Sequence, residues 1–179
     1  MNMHVLAPVL APPPEIVPGD CDPRIAEFYR YWDTKRPAPH LLPGRQHVWP
    51  AELASLLRHV WLCDVLREPL RFRYRLIGST ISYLMSRDYT GSWLDEAHEN
   101  FAASPARTDF VTAVTEAAGV YYRGQPLFHL EKNYVSMERL LLPLARNGRD
   151  VDMLMGITLY GPPLTRSAGE AELDDLLAL

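Results

Sequence analysis

Cysteine is scarce. The two thiols, Cys21 and Cys63, form no Cys-x-x-Cys pair, which argues against a disulfide scaffold and a cysteine-based zinc site. Free thiols fit a reducing cytoplasm. Basic charge is not in excess: 18 Lys and Arg stand against 22 Asp and Glu, a net charge of −4 with pI about 5.8. A domain built for phosphate backbones carries a basic surplus. Long apolar runs are missing, none approaching the ~18 residues that span a bilayer. The opening MNMHVLAPVLAPPPEIVPG lacks a basic start and is broken by prolines, so it reads poorly as a signal peptide. Nucleophile-elbow, Walker and Gly-x-Gly-x-x-Gly loops are absent. The six histidines, His4, His40, His47, His59, His98 and His129, make no i, i+4 metal pair and no Cys/His cluster.

What is present reads as one domain of 179 residues. Ten of the 16 prolines fall in the first 50 residues, so residues 1–19 read as an extended arm. A helix follows, with Asp22 as cap, Pro23 in the first turn, and Ile25, Phe28, Tyr29 and Trp32 on one face. Pro50 opens a second short helix, PAELASLLRHV, striped by Leu53, Leu56 and Leu57. The period then changes. VWLCDVLRE and LRFRYRLIG read as strands joined by a turn at Glu68-Pro69. STISYLMSRD and TGSWLDEA read as short helices or turns. PARTDFVTAVTEAAG reads as a clear helix through Phe110, Val114 and Ala117, ended by Gly119. QPLFHLEKN, SMERLLLPLAR and VDMLMGITLYG read as three further strands, and EAELDDLLAL as a short terminal helix.

Asn147-Gly148 is the preferred loop of a two-residue hairpin. Counting back from it pairs Leu144 with Val151, Leu142 with Met153 and Leu140 with Met155 on one apolar side. Ala145, Asp150, Pro143 and Asp152 fall on a mixed other side. The order of elements predicts an α+β fold, an antiparallel sheet with helices on one face.

GRQHVWPAELASLLRHVWLCDVL, FRYRLIGSTI, SRDYTGSWLDE and RLLLPLARNGRDVDMLMG, in this order and spacing, resemble a family of small bacterial proteins built on a single PAS sensor domain. The likeness covers about residues 25–160. Arg45, Pro50, Leu53, Leu62, Asp64, Arg75, Gly78, Thr80, Gly91, Leu94, Leu140, Pro143, Leu144 and Gly148 carry it. The resemblance implies a five-stranded antiparallel sheet in spatial order 2-1-5-4-3. Residues 20–58 would form an N-terminal helical extension, 59–161 the PAS domain and 162–179 a tail.

In that frame RFRYR is an edge strand. Phe72, Tyr74 and Leu76 face the interior, while Arg71, Arg73 and Arg75 form a solvated face that discourages pairing with other chains. Some PAS domains hold haem by one histidine, and His98 or His129 would be the candidates. Neither has supporting ligand spacing, and the NCRFLQ-like cysteine helix of flavin photosensors is missing. No haem, flavin or metal is therefore expected. Trp93, Phe110, Val114, Leu140, Leu142, Met153 and Met155 are the candidate walls of a ligand cavity between sheet and helices. Phe28, Tyr29 and Trp32 either cover the chain's own sheet or meet a second copy in a homodimer. The expected function is a cytoplasmic, non-enzymatic sensor or adaptor binding a protein partner and a small-molecule ligand, with no nucleic acid and no membrane. The rival is a small α+β enzyme with its active site in the same cavity.

Overall fold

A computed structural model describes residues 16–126 and 136–161. The arm through residue 15, the segment 127–135 with His129, and the tail from residue 162, where a short terminal helix is expected, lie outside the described residues. Helix α1 spans Pro23–Thr34. The Asp22 carboxylate caps it by accepting from the Arg24 N–H at 2.9 Å. Ile25, Phe28 and Trp32 share one face and are wholly buried.

The stretch from Pro50 is not the single helix its leucines suggest. It forms 3₁₀ turns over Pro50–Leu53 and Leu57–His59. The buried residues Leu53, Leu56 and His59 recur every third position, the period of a 3₁₀ turn. Leu57, the third member of the expected stripe, is only partly buried.

Strands β1 (Val60–Arg67) and β2 (Leu70–Ile77) turn tightly at Glu68-Pro69. Helices α2 (Ser79–Leu84), α3 (Leu94–Ala97) and α4 (Pro105–Thr115) follow. Strand β3 covers Val120–Gly124, β4 Ser136–Leu144 and β5 Met153–Gly161. The sheet is antiparallel in the order β2-β1-β5-β4-β3. That is the α+β architecture and strand order expected.

Three local expectations are corrected. The third strand of the sheet is Val120–Gly124, on the β-favouring run Val120-Tyr121-Tyr122, ahead of the expected 125–133 segment, of which residues 127–133 lie outside the described residues. Helix α4 ends at Thr115, and Ala117, at φ 51°, takes the left-handed turn expected of Gly119. The β4–β5 register is two residues off: Leu144 pairs with Met153, Leu142 with Met155 and Leu140 with Ile157. A shift of two leaves every side chain on its expected face. The tight hairpin is displaced because the N-terminal segment occupies its tip. Ala145 N–H donates to the Pro43 carbonyl at 2.9 Å and Leu42 N–H to the Gly148 carbonyl at 2.8 Å. The Asn147 side-chain oxygen accepts from the N–H groups of Arg149 and Asp150. Gly148 supplies the positive φ, +80°, that this turn requires.

The two faces of the sheet follow from side-chain alternation. Trp61 lies flat over β5, where a Cβ at Gly156 would come within 2.2 Å of its ring. The same ring stacks on Phe110 of α4 at 5.5 Å. Trp61, Cys63, Leu141 and Arg139 therefore face the side covered by α4; this is the inner face. Leu62, Leu140, Leu142, Met153 and Met155 alternate with them and point to the outer face, where α1 and the 3₁₀ turns pack. On the expected mixed side of the β4–β5 pair, Pro143 and Ala145 are buried, while Asp150 and Asp152 at the hairpin end are exposed.

Candidate functional site

The inner face is filled by aromatic rings. Phe110 stacks with Trp61 and meets Phe72 and Phe101 edge-on, with centroids at 5.1 and 5.4 Å. Tyr74 lies in the same layer, its hydroxyl 3.1 Å from Nε2 of buried His98. Burial pushes the Tyr74 phenol well above its ordinary range. Trp61 donates its indole N–H to the Thr158 hydroxyl at 3.0 Å.

A charge is buried among these rings. Arg139 is 2% exposed and forms an ion pair with Asp109 of α4. Its guanidinium lies over Phe110 and Tyr122, 5.7 and 5.5 Å from their centroids. Burial depresses the Arg139 pKa, opposed by the Asp109 charge. Burial likewise raises the Asp109 carboxyl, with Arg139 opposing it. Nε and Nη1 of Arg139 have no acceptor among the described residues. Sequence reasoning missed this pair. Its signal was a lone cation opening the apolar run RLLLPL on a strand.

The open space lies on the other face. A cavity of about 310 Å³ separates the N-terminal segment from the outer side of the sheet. Val48, Pro50, Leu53 and Leu57 form the wall from the N-terminal segment, and Val60, Leu62, Leu76 and Met155 the wall from the sheet. Arg45, Arg58 and Ser79 are its polar members. The cavity owes part of its shape to a bulge. Cys63 pairs with Tyr74 but Leu62 with Leu76, leaving Arg75 unmatched. Leu76 consequently leaves the interior face expected for it and lines the outer cavity. It is 43% exposed, beside Trp49 at 63% and Tyr83 at 83% on the elements that border the cavity.

The expected ligand set is therefore divided. Phe110 and Val114 are buried on α4 against the inner face. Leu140, Leu142, Met153 and Met155 lie on the outer face, and of the seven only Met155 lines the cavity. Trp93 belongs to neither group. It bridges to Arg73 at the edge of β2, under the guanidiniums of Arg71 and Arg73. The dimer set is also reassigned: Phe28 and Trp32 are wholly buried by the chain's own sheet. The Trp32 indole N–H donates to the Pro143 carbonyl at 2.9 Å. Tyr29 is only partly buried, stacked on Trp32.

The arginines of β2 are neutralised within the chain. Arg71 grips Asp95 and Glu96 of α3, and Arg73 and Arg75 share Asp64 at 3.3 Å. Residues 91–93 also pair with β2, through Tyr74 N–H to the Ser92 carbonyl and Gly91 N–H to the Tyr74 carbonyl. This edge is thus partly covered as well as charged.

Among the described residues no group of three His, Cys, Asp or Glu side chains can hold a metal ion, and no helix is long and apolar enough to cross a membrane. A PAS-domain family model matches residues 22–159, which takes in α1, the 3₁₀ turns and the whole sheet. The chain belongs to the PAS-domain family. This PAS domain includes the N-terminal extension as part of one matched unit. No curated protein matches the chain.

Proposed function

We propose that this PAS domain is a cytoplasmic sensor or adaptor, acting by binding rather than by chemistry, with its ligand site in the outer cavity. A sensory or signalling role goes with the family. The ligand reading is carried by one observation: the apolar cavity lies between the sheet and a separately packed N-terminal segment. An occupant would contact Leu53 and Leu57 on one wall and Leu62 and Met155 on the other. Binding is coupled to how the segment seats on the sheet, and a change in seating alters the surface offered to a protein partner. Trp49, Leu76 and Tyr83, exposed beside the cavity, are the partner-facing side chains in this reading.

The enzyme rival called for polar groups with perturbed pKa converging on a pocket. Arg139, Asp109, Tyr74 and His98 are polar, but they are packed among rings on the face away from the cavity. The test is native mass spectrometry of the purified chain with its absorption spectrum. A bound small molecule released on denaturation, with no haem or flavin band, is the expected result. Turnover of that molecule would favour the enzyme.

A further inference from the structure

We infer that the outer cavity takes a small apolar molecule ending in a carboxylate, held at its charged end by Arg45 and Arg58. This rests on the ligand-binding reading above and adds the class of ligand. The body of the cavity is apolar, walled by Leu53, Leu57, Leu62 and Met155. Its volume, about 310 Å³, is at the low end of the roughly 300–1,000 Å³ range of small-molecule sites. Its lining includes two arginines and no acidic side chain.

Neither cation has a carboxylate partner among the described residues. Arg71, Arg73 and Arg75, by contrast, are each paired with carboxylates. Arg45 is fixed in place by one hydrogen bond, Nη1–H to the Val48 carbonyl at 2.8 Å, and Val48 is itself part of the wall. That contact leaves the remaining N–H groups of the Arg45 fork for another acceptor. Arg58 is exposed while still lining the cavity, so it stands at the mouth. An apolar interior with guanidinium donors at its rim matches an amphiphile with its tail inside and its carboxylate outside. Arginine is suited to this role because its planar fork meets a carboxylate through two parallel hydrogen bonds.

Decanoate, below its micellar concentration, and decan-1-ol are titrated into the full chain, followed by calorimetry. The pair shares one tail and differs at the head. Decanoate is expected to bind at least about tenfold more tightly than the alcohol, the size of one charge-assisted hydrogen-bonded contact. Arg45→Gln with Arg58→Gln is expected to bring the two within about threefold, and Leu57→Trp, which fills the cavity from a partly buried position, to abolish both. Equal binding of the two by the native chain would overturn the carboxylate inference and leave the cavity as the ligand site. Failure of both to bind, or decanoate binding untouched by Leu57→Trp, would overturn the site itself.

Discussion

The two faces of this sheet bury apolar area in different ways. On the inner face, rings from β1, β2 and α4 interlock around Phe110, and even the buried cation Arg139 is sandwiched between rings. On the outer face, α1 packs closely through Ile25, Phe28 and Trp32. The 3₁₀ segment after it leaves a cavity above Leu62 and Met155. A regular helix presents a continuous stripe that fills the groove it lies on. Successive single turns are buried at separated points, Val48, Leu53 and Leu56, and a cavity lies between this segment and the sheet. The lesson is that in this PAS domain ligand space goes with the irregular cover, and rigidity with the regular one.

The sharpest break of that comparison is a pair of truncations. Phe110→Ala should cost about 3–5 kcal/mol, because its ring contacts three others in a filled layer. Leu57→Ala, on a wall that already faces empty space, should cost less than about 1 kcal/mol. Denaturant melts of the two variants check this, and equal losses would mean the two faces are packed alike. Next comes the buried pair. Asp109→Ala leaves Arg139 without its counter-charge and should cost about 2–3 kcal/mol. Adding Arg139→Met should restore most of that loss, since Met fills the space without a charge to compensate.

A smaller effect is a pH dependence on the outer side. Burial lowers the pKa of His59, helped by Arg24 and Arg58 and opposed by Asp22. The unfolded chain then binds a proton below about pH 6.5 that the folded chain resists. Stability is full above that pH and declines as pH falls through it. Thermal melts from pH 7.5 to 5.5 should show the decline, and His59→Gln should flatten it. The smallest effect belongs to the β2 edge: Arg73→Gln or Arg75→Gln should each change stability by no more than about 1 kcal/mol. Salt-sensitive binding to DNA lost in these variants would instead make the edge a nucleic-acid surface.

Much of the inner face was legible in the chain. Alternation in RFRYR placed Phe72 and Tyr74 inward, and both are buried. The strand order followed from a resemblance spread over four segments, and the structure has that order. The apolar face of the β4–β5 pair was readable because a period of two tolerates a register error of two. What was illegible depended on contacts between distant segments. Nothing near Asn147-Gly148 signals that Leu42 and Pro43 will take up the hairpin tip. Nothing in PLRFRYRLIG marks the bulge that turns Leu76 outward. The expected cavity set failed for a related reason: Phe110 and Leu142 are both buried and apolar, and periodicity alone does not say that they lie on opposite faces of the sheet.

The claim that the open apolar space lies outside the sheet, under the N-terminal segment, is tested most directly by diffraction from a xenon-pressurised crystal. Xenon enters dry apolar cavities and is located by its scattering. The expected result is one xenon site among Leu53, Leu62 and Met155, with none inside the ring cluster. Xenon lodged among Trp61, Phe72 and Phe110, with the outer site empty, would contradict the account.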